Sequence, residues 1–186
     1  MIPALILVDI QNGFREPSWG QRNNPHFENN VERLLDYWRK EKRPIFHIQH
    51  LSEEKDSPLR PDLSGSEFMD FAKPLSQEPI FRKDVHSGFI GTNLEQHLKN
   101  LKIGHLVLIG LTSDHCVSTT ARMGADLGFK ITIPFDGVAT FNRISREGIR
   151  FSADQVQSIS LASLHQEFAT ISSTEELCGK KMARWI

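Results

Sequence analysis

At 186 residues the chain has room for one full hydrophobic core and is short for two. Hydrophobic side chains at 39% and charged ones at 24% exclude a disordered polymer, and a formal net charge of -1 gives no cationic surface for nucleic acid or an anionic membrane. Cys116 and Cys178 lie too far apart to suggest a disulfide framework, and the apolar N-terminal stretch lacks a basic leader and is broken by Asp9, so a cytoplasmic protein is expected.

Ala4 to Val8 is an unbroken apolar run, the pattern of a strand buried on both faces, and Asp9 closes it. A carboxylate at the end of such a strand is costly unless it is paired, hydrogen-bonded or reactive. Gln11 to Pro25 reads as loop, with Phe14 and Trp19 as candidate pocket-lining aromatics. A helix starting at Asn24-Pro25 follows, with Val31, Leu34, Leu35 and Trp38 at helical spacing. Ile45 to Ile48 is the second strand, and Leu51 to Glu78 is a long segment without periodicity, of the kind that is usually functional or disordered. Pro79 to Phe81 gives a third strand that leads into Lys83. Thr92 and Glu95 match a capping box for a helix that continues to Gly104.

The stretch His105–Asp136 reads as strand, turn, helix and strand: an apolar run to Ile109, a polar turn before Cys116, a helix from Val117 to Leu127, and a run from Ile131 to Phe135. Ala139 to Arg146 is loop, and a helix is expected from about Glu147 to Ser163 with Ile149, Ala153, Val156, Ile159 and Leu164 on its apolar side. Phe168 to Ile171 is a last strand, and Ser172 to Glu175 caps a short C-terminal helix. Strands alternate with helices throughout, which predicts one α/β domain with a parallel sheet of about six strands.

Three reactive side chains close three of these strands: Asp9 after the first, Lys83 after the third and Cys116 after the fourth. In open parallel sheets the carboxyl ends of the strands line one crevice, so acid, amine and thiol can converge without being near in sequence. Cys116 falls where a strand feeds a helix N-terminus, an environment that favours a thiolate. A free thiol is a weak nucleophile at neutral pH; Asp9 can take its proton and Lys83 can stabilise charge. A purely structural Asp9–Lys83 ion pair is the competing reading.

MIPALILVDIQNGF, FRKDVHSGFIGTNLEQHL and LVLIGLTSDHCVSTTARMGADLGFKITIPFDGVATF resemble the signature blocks of the isochorismatase-like cysteine hydrolases, from about Ala4 to Phe141. The resemblance implies a three-layer α/β/α fold with a six-stranded parallel sheet in the order 3-2-1-4-5-6. It assigns the catalytic Asp–Lys–Cys triad to Asp9, Lys83 and Cys116. It also implies a non-proline cis peptide at Leu111–Thr112, with the backbone N–H groups of Thr112 and Cys116 as an oxyanion hole, and Phe89 in the substrate pocket. Such enzymes need no cofactor and are commonly dimers or tetramers, so a homo-oligomer acting on a small molecule is expected. The large apolar residues Trp19, Trp38, Phe68, Phe71 and Trp185 are compatible with an interface.

Eight histidines invite a metal reading, but the metal-binding relatives place an Asp-x-His motif where this chain has Gln49-His50-Leu51, and no metal site is assigned. His47 is expected as a satisfied core residue, while His50 and His115 are candidate substrate contacts and Cys178 is expected to be inert. Arg60 either faces substrate or is a solvated loop charge. The implied chemistry is hydrolysis of an amide or ureido C–N bond through a thioester. The alternatives are a vinyl-ether hydrolase of the isochorismatase type and a binding module on the same fold.

Overall fold

The structure is a computed structural model that describes residues 2–179; Trp185 lies outside the described residues. Strand β1 (Ala4–Val8) runs down the middle of the sheet with all five residues buried. It pairs in parallel with β2 (Ile45–His50) on one side and β4 (His105–Leu111) on the other. Beyond β2 lies β3 (Ile80–Lys83), and beyond β4 lies β5 (Lys130–Pro134). The sixth place is taken by a strand late in the chain, β9 (Thr170–Ser172), parallel to β5. Two-residue β6 (Val138–Ala139) adds to the carboxyl end of β4.

Because successive side chains of a strand point to opposite faces, β1 feeds two cores. Ala4, Ile6 and Val8 pack with residues of helices α2 (Leu94–Asn100), α3 (Cys116–Asp126) and α4 (Ala153–Leu164). Leu5 and Leu7 pack against α1 (Phe27–Lys40) and α5 (Thr174–Gly179). These two helical layers enclose the sheet, which is the arrangement a nearly continuous apolar strand requires. In α1, Phe27, Val31, Leu34, Leu35 and Trp38 form the buried stripe. Among the described residues, no helix is long and apolar enough to cross a membrane.

Several boundaries differ from the sequence reading for local physical reasons. Helix α1 starts at Phe27 rather than Asn24, because Asn24 is left-handed (φ 53°) and its side-chain amide donates to the carbonyls of Phe135 and Val138. The capping box before α2 does not form: Thr92 Oγ1 donates to Gly88 O, and Glu95 pairs with Lys99. Ahead of α5, Ser173 accepts from the Glu176 N–H while Glu176 accepts from the Ser173 N–H, a box one residue later than expected.

The largest departure is α4, which begins at Ala153 instead of about Glu147. Residues before it form a small antiparallel hairpin, β7 (Arg143–Ile144) with β8 (Arg150–Phe151), turned at left-handed Gly148. Ser152 and Gln155 then make a full capping box, which fixes the helix start. Ala153, Gln157, Leu161 and Leu164 are the buried positions, so Ile149 and Ile159 are exposed and do not belong to the apolar side assigned to them. Trp38 and Phe68 are buried within the chain's own cores and are not free for an interface.

Candidate active site

Asp9 leaves β1 at a left-handed φ of 51°, a conformation that aspartate tolerates better than most residues. Its N–H donates to Ile48 O, which turns the carboxylate in under the sheet's carboxyl edge, fully buried. Lys83 is the last residue of β3, and the parallel register sets it beside His50, the last residue of β2. The buried Lys83 ammonium then touches three groups. Its Nζ lies 2.6 Å from Asp9 Oδ2, 3.1 Å from His50 Nδ1 and 3.5 Å from Cys116 Sγ. An ammonium has only donors, so His50 Nδ1 is the acceptor in that contact. Burial, and after it the Lys83 charge, hold the His50 imidazole below its ordinary pKa, which keeps the ring neutral.

Cys116 opens α3, and the approach to it is heavily cross-tied. Gly110 takes a φ of 129°, and a side chain there would run into the Val8 carbonyl of the neighbouring strand. The Leu111–Thr112 peptide is cis. The Ser113 N–H donates to Ala139 O, and the N–H groups of His115 and Val117 both donate to Thr112 O. Asp114 accepts from Thr140 Oγ1 (2.5 Å) and from Arg143 Nε (2.9 Å), which fastens the turn to the chain entering the β7–β8 hairpin. Burial would raise the Asp114 pKa, but Thr140, His115 and Arg143 outweigh it and keep the carboxyl ionised.

The thiol itself behaves differently from the sequence expectation. Burial is the main influence and pushes the Cys116 thiol well above its ordinary value; the Asp9 charge adds to this and Lys83 offsets it only in part. The helix N-terminus does not prevail, because desolvation penalises an anion over the whole buried sulfur. The resting site is therefore a thiol beside an Asp9–Lys83 ion pair, rather than a preformed thiolate. Asp9 Oδ1 has no hydrogen-bond partner and is the acceptor left over in this cluster.

A cavity of about 360 Å³ opens above Cys116. Phe14, Trp19, His50, Thr112 and His115 line it, as do residues of the 51–59 segment. Phe14 and Trp19 form a wall, with ring centroids 5.0 Å apart, and the Trp19 indole is fixed by donating to Gly13 O. Phe89 is elsewhere: it packs in the core beneath α3, stacked on Phe129, and its assignment to substrate binding is corrected. Arg60 lines a neighbouring cleft and is held by Asp62, away from the sulfur.

Asp9, His50 and Cys116 each offer a ligand atom within 4.8 Å of the others, a spacing that could hold a metal ion. The Lys83 ammonium contacts all three of these groups, and so already supplies a positive charge to them. His47 binds elsewhere, to Glu78 in the core.

Two structural residues of the site lie in motifs that the sequence offered but were given no role from it. The buried Gln11 amide donates to His50 O and Ser66 O while its carbonyl accepts from the His50 N–H, so one side chain ties β1, β2 and the long loop together. Asp114 is the other. A polar residue two positions beyond the reactive Asp9, and a carboxylate in the turn before the cysteine, were the available signals.

A family profile for the isochorismatase domain matches residues 3–176. The chain belongs to the isochorismatase family. It is 42% identical to the isochorismatase-family protein YrdC of Bacillus subtilis over 174 residues, covering 94% of this chain and 93% of that protein. A solved isochorismatase-family structure from Chromobacterium violaceum superposes with a TM-score of 0.92 at 36% identity, over 95% of this chain and 92% of the other. N-carbamoylsarcosine amidase of an Arthrobacter species is similar at 25% identity, across 94% of this chain and 69% of that enzyme.

Proposed function

We propose that this isochorismatase-family protein is a cysteine hydrolase that cleaves an amide or ureido C–N bond of a small molecule, with Asp9, Lys83 and Cys116 as its catalytic residues. One observation carries the reading: a buried ammonium lies 2.6 Å from a carboxylate and 3.5 Å from the sulfur that lines the 360 Å³ cavity. The amidase among its relatives supports the C–N bond as target.

The thiol's raised pKa dictates the order of events. Sulfur attack on the carbonyl carbon and transfer of the thiol proton to Asp9 proceed together, since a free thiolate is scarce. The backbone N–H groups of Thr112 and Cys116 receive the developing oxyanion; a single such donor is worth about 2.7–4 kcal/mol of transition-state stabilisation. Protonated Asp9 passes its proton to the leaving nitrogen as the C–N bond breaks, leaving a thioester on Cys116. Water, deprotonated by Asp9, attacks the thioester, and the thiol leaves reprotonated. Throughout, Lys83 compensates the Asp9 charge and is itself oriented by the neutral His50.

Homo-oligomer formation is part of the same proposal. Trp38 and Phe68 no longer support it, whereas Ile144, Ile149 and Ile159, 57–65% exposed, offer apolar surface. A monomeric mass by light scattering at micromolar concentration would overturn it. The hydrolase reading is tested by screening small primary amides and ureido compounds for ammonia release, with Cys116→Ala as the blank. Release by the unaltered protein alone supports it; a protein inert on the whole panel, or a Cys116→Ala variant that works equally well, sinks it.

A further inference from the structure

The turn that carries Cys116 is held at its midpoint by a side chain from outside the main sheet. Asp114 lies two residues after Thr112 and two before Cys116. The N–H groups of Ser113, His115 and Val117 are committed to the carbonyls of Ala139 and Thr112. Among the described residues, no hydrogen bond takes up the N–H groups of Thr112 and Cys116. Those two amides are therefore aimed by how the turn is fixed, not by partners of their own. The Asp114 carboxylate fixes its middle: Oδ2 accepts from Arg143 Nε at 2.9 Å, and Oδ1 accepts from Arg143 Nη2 at 3.2 Å and from Thr140 Oγ1 at 2.5 Å. Only 14% of the Asp114 side chain and 26% of that of Arg143 are exposed. Thr140 is set in turn by Asn23, whose Oδ1 accepts from the Thr140 N–H at 2.8 Å. Arg143 is the first residue of β7, in a hairpin that does not join the main sheet. A guanidinium that donates twice to one carboxylate fixes direction as well as distance. Direction matters here, because oxyanion donors must meet one oxygen at about 2.7–3.1 Å, and a misplacement of about 1 Å can cost on the order of 10²-fold in rate.

We infer that Arg143, acting through Asp114, is a positioning residue for carbonyl attack: its guanidinium holds the turn so that the Thr112 and Cys116 N–H groups converge on one oxyanion. This inference rests on the reading of Cys116 as a nucleophile that adds to a carbonyl. Neither Arg143 nor Asp114 lines the cavity, so their influence reaches the reacting atoms through the backbone of the turn. Two consequences follow from that route. Losing Arg143 should impair reactions that develop an oxyanion and spare those that do not. Once Asp114 is gone, losing Arg143 should cost nothing more, whereas a guanidinium acting on the oxyanion by its own charge would still be missed.

Two reagents for the same sulfur separate these cases in the full chain. p-Nitrophenyl acetate acylates Cys116: the sulfur bonds to the acetyl carbon through an oxyanion, p-nitrophenolate leaves, and the thiol proton passes to Asp9. Iodoacetamide alkylates Cys116 by displacing iodide and forms no oxyanion. Both products are followed at Cys116 by peptide mass spectrometry, with Cys116→Ala as the blank. The ratio of the two rates cancels the reactivity of the thiol and reports the oxyanion donors. Arg143→Gln and Asp114→Asn are each expected to lower it roughly tenfold, and the double variant no further than the worse single one. Thr140→Val keeps the side-chain volume, removes one donor to Asp114 and should lower the ratio less; it carries the test if circular dichroism shows Asp114→Asn unfolded. A ratio unchanged in Arg143→Gln overturns the inference, as do losses that multiply in the double variant. So does a ratio in the unaltered protein no higher than that of 2-mercaptoethanol. On amides, Arg143→Gln should lower kcat and kcat/KM together, the signature of an interaction made only in the transition state. An amide panel that yields no ammonia, with the acylation ratio still dependent on Arg143, removes the hydrolase reading and leaves the positioning role standing.

Discussion

Two buried carboxylates in this protein each hold a cation, and they have been finished differently. Glu78 is fully satisfied: Oε1 accepts from Arg39 Nε, and Oε2 is in contact with Arg39 Nη2, His47 Nε2 and the Leu75 N–H at 2.9–3.0 Å. Burial alone would raise its pKa, but the hydrogen bonds from Arg39, His47 and Leu75 prevail and hold it far below the usual carboxylate range. Asp9 also has its cation, 2.6 Å away, yet its other oxygen has no partner and a cavity opens over the adjacent thiol. A carboxylate with both oxygens engaged is a structural tie. One with an unfilled acceptor beside a nucleophile is equipped to take a proton. Substitution should separate the two.

Removing the sulfur should have the largest effect. Cys116→Ala is expected to reduce ammonia release to the background, and Cys116→Ser to lower kcat on the order of 10³-fold or more, since a carboxylate activates an alcohol poorly. Folding, read by circular dichroism, should survive both. Near-normal turnover by the serine variant would point to direct attack by water.

Asp9→Asn comes next, because it acts on both axes. It removes the proposed base and leaves the Lys83 ammonium buried without a counter-charge, a loss of about 3–5 kcal/mol by urea denaturation. Activity should fall with it even where the variant is still folded. A variant that keeps its activity while losing this stability would return Asp9–Lys83 to the structural class.

Glu78→Gln sharpens the comparison from the other side. Its network is partly open at Arg39, so about 2–3 kcal/mol of stability should be lost, with kcat/KM changed less than about threefold. The Glu78 pKa is depressed on folding from its ordinary 4.5, so its contribution is present above that value and is lost as pH falls below it. The stability gap between unaltered protein and Glu78→Gln should therefore narrow on acidification from about pH 5. A gap that stayed constant to pH 3 would contradict the depressed pKa.

The smallest effect concerns the thiol. With its folded pKa raised above the ordinary 9.0, Cys116 contributes stability that is fully present below that pH and is lost progressively as pH climbs above it towards the raised folded value. Iodoacetamide labelling of Cys116 should accordingly rise with pH without a plateau below pH 9. A plateau near neutrality would restore the thiolate that the helix N-terminus alone suggests.

The sequence by itself determined the six strands that span the main sheet, the α/β class and the placement of Asp9, Lys83 and Cys116 after strand ends, but neither β6 nor the β7–β8 hairpin. A strand buried on both faces must be an apolar run, and a charged or polar residue must end it, so these features are written locally. The tertiary structure decided what those residues are next to. His50 meets Lys83 only through the register of β2 on β3, Gln11 reaches 39 and 55 residues along the chain, and Asp114 finds its partner 29 residues away. Helix α4 was misplaced because its start is set by a hairpin and a serine cap, and its buried face by the sheet, rather than by its own weak apolar pattern. The thiol's protonation was misjudged for the same reason. A helix N-terminus can be read from neighbouring residues, whereas the depth of burial that opposes it is a property of the folded whole.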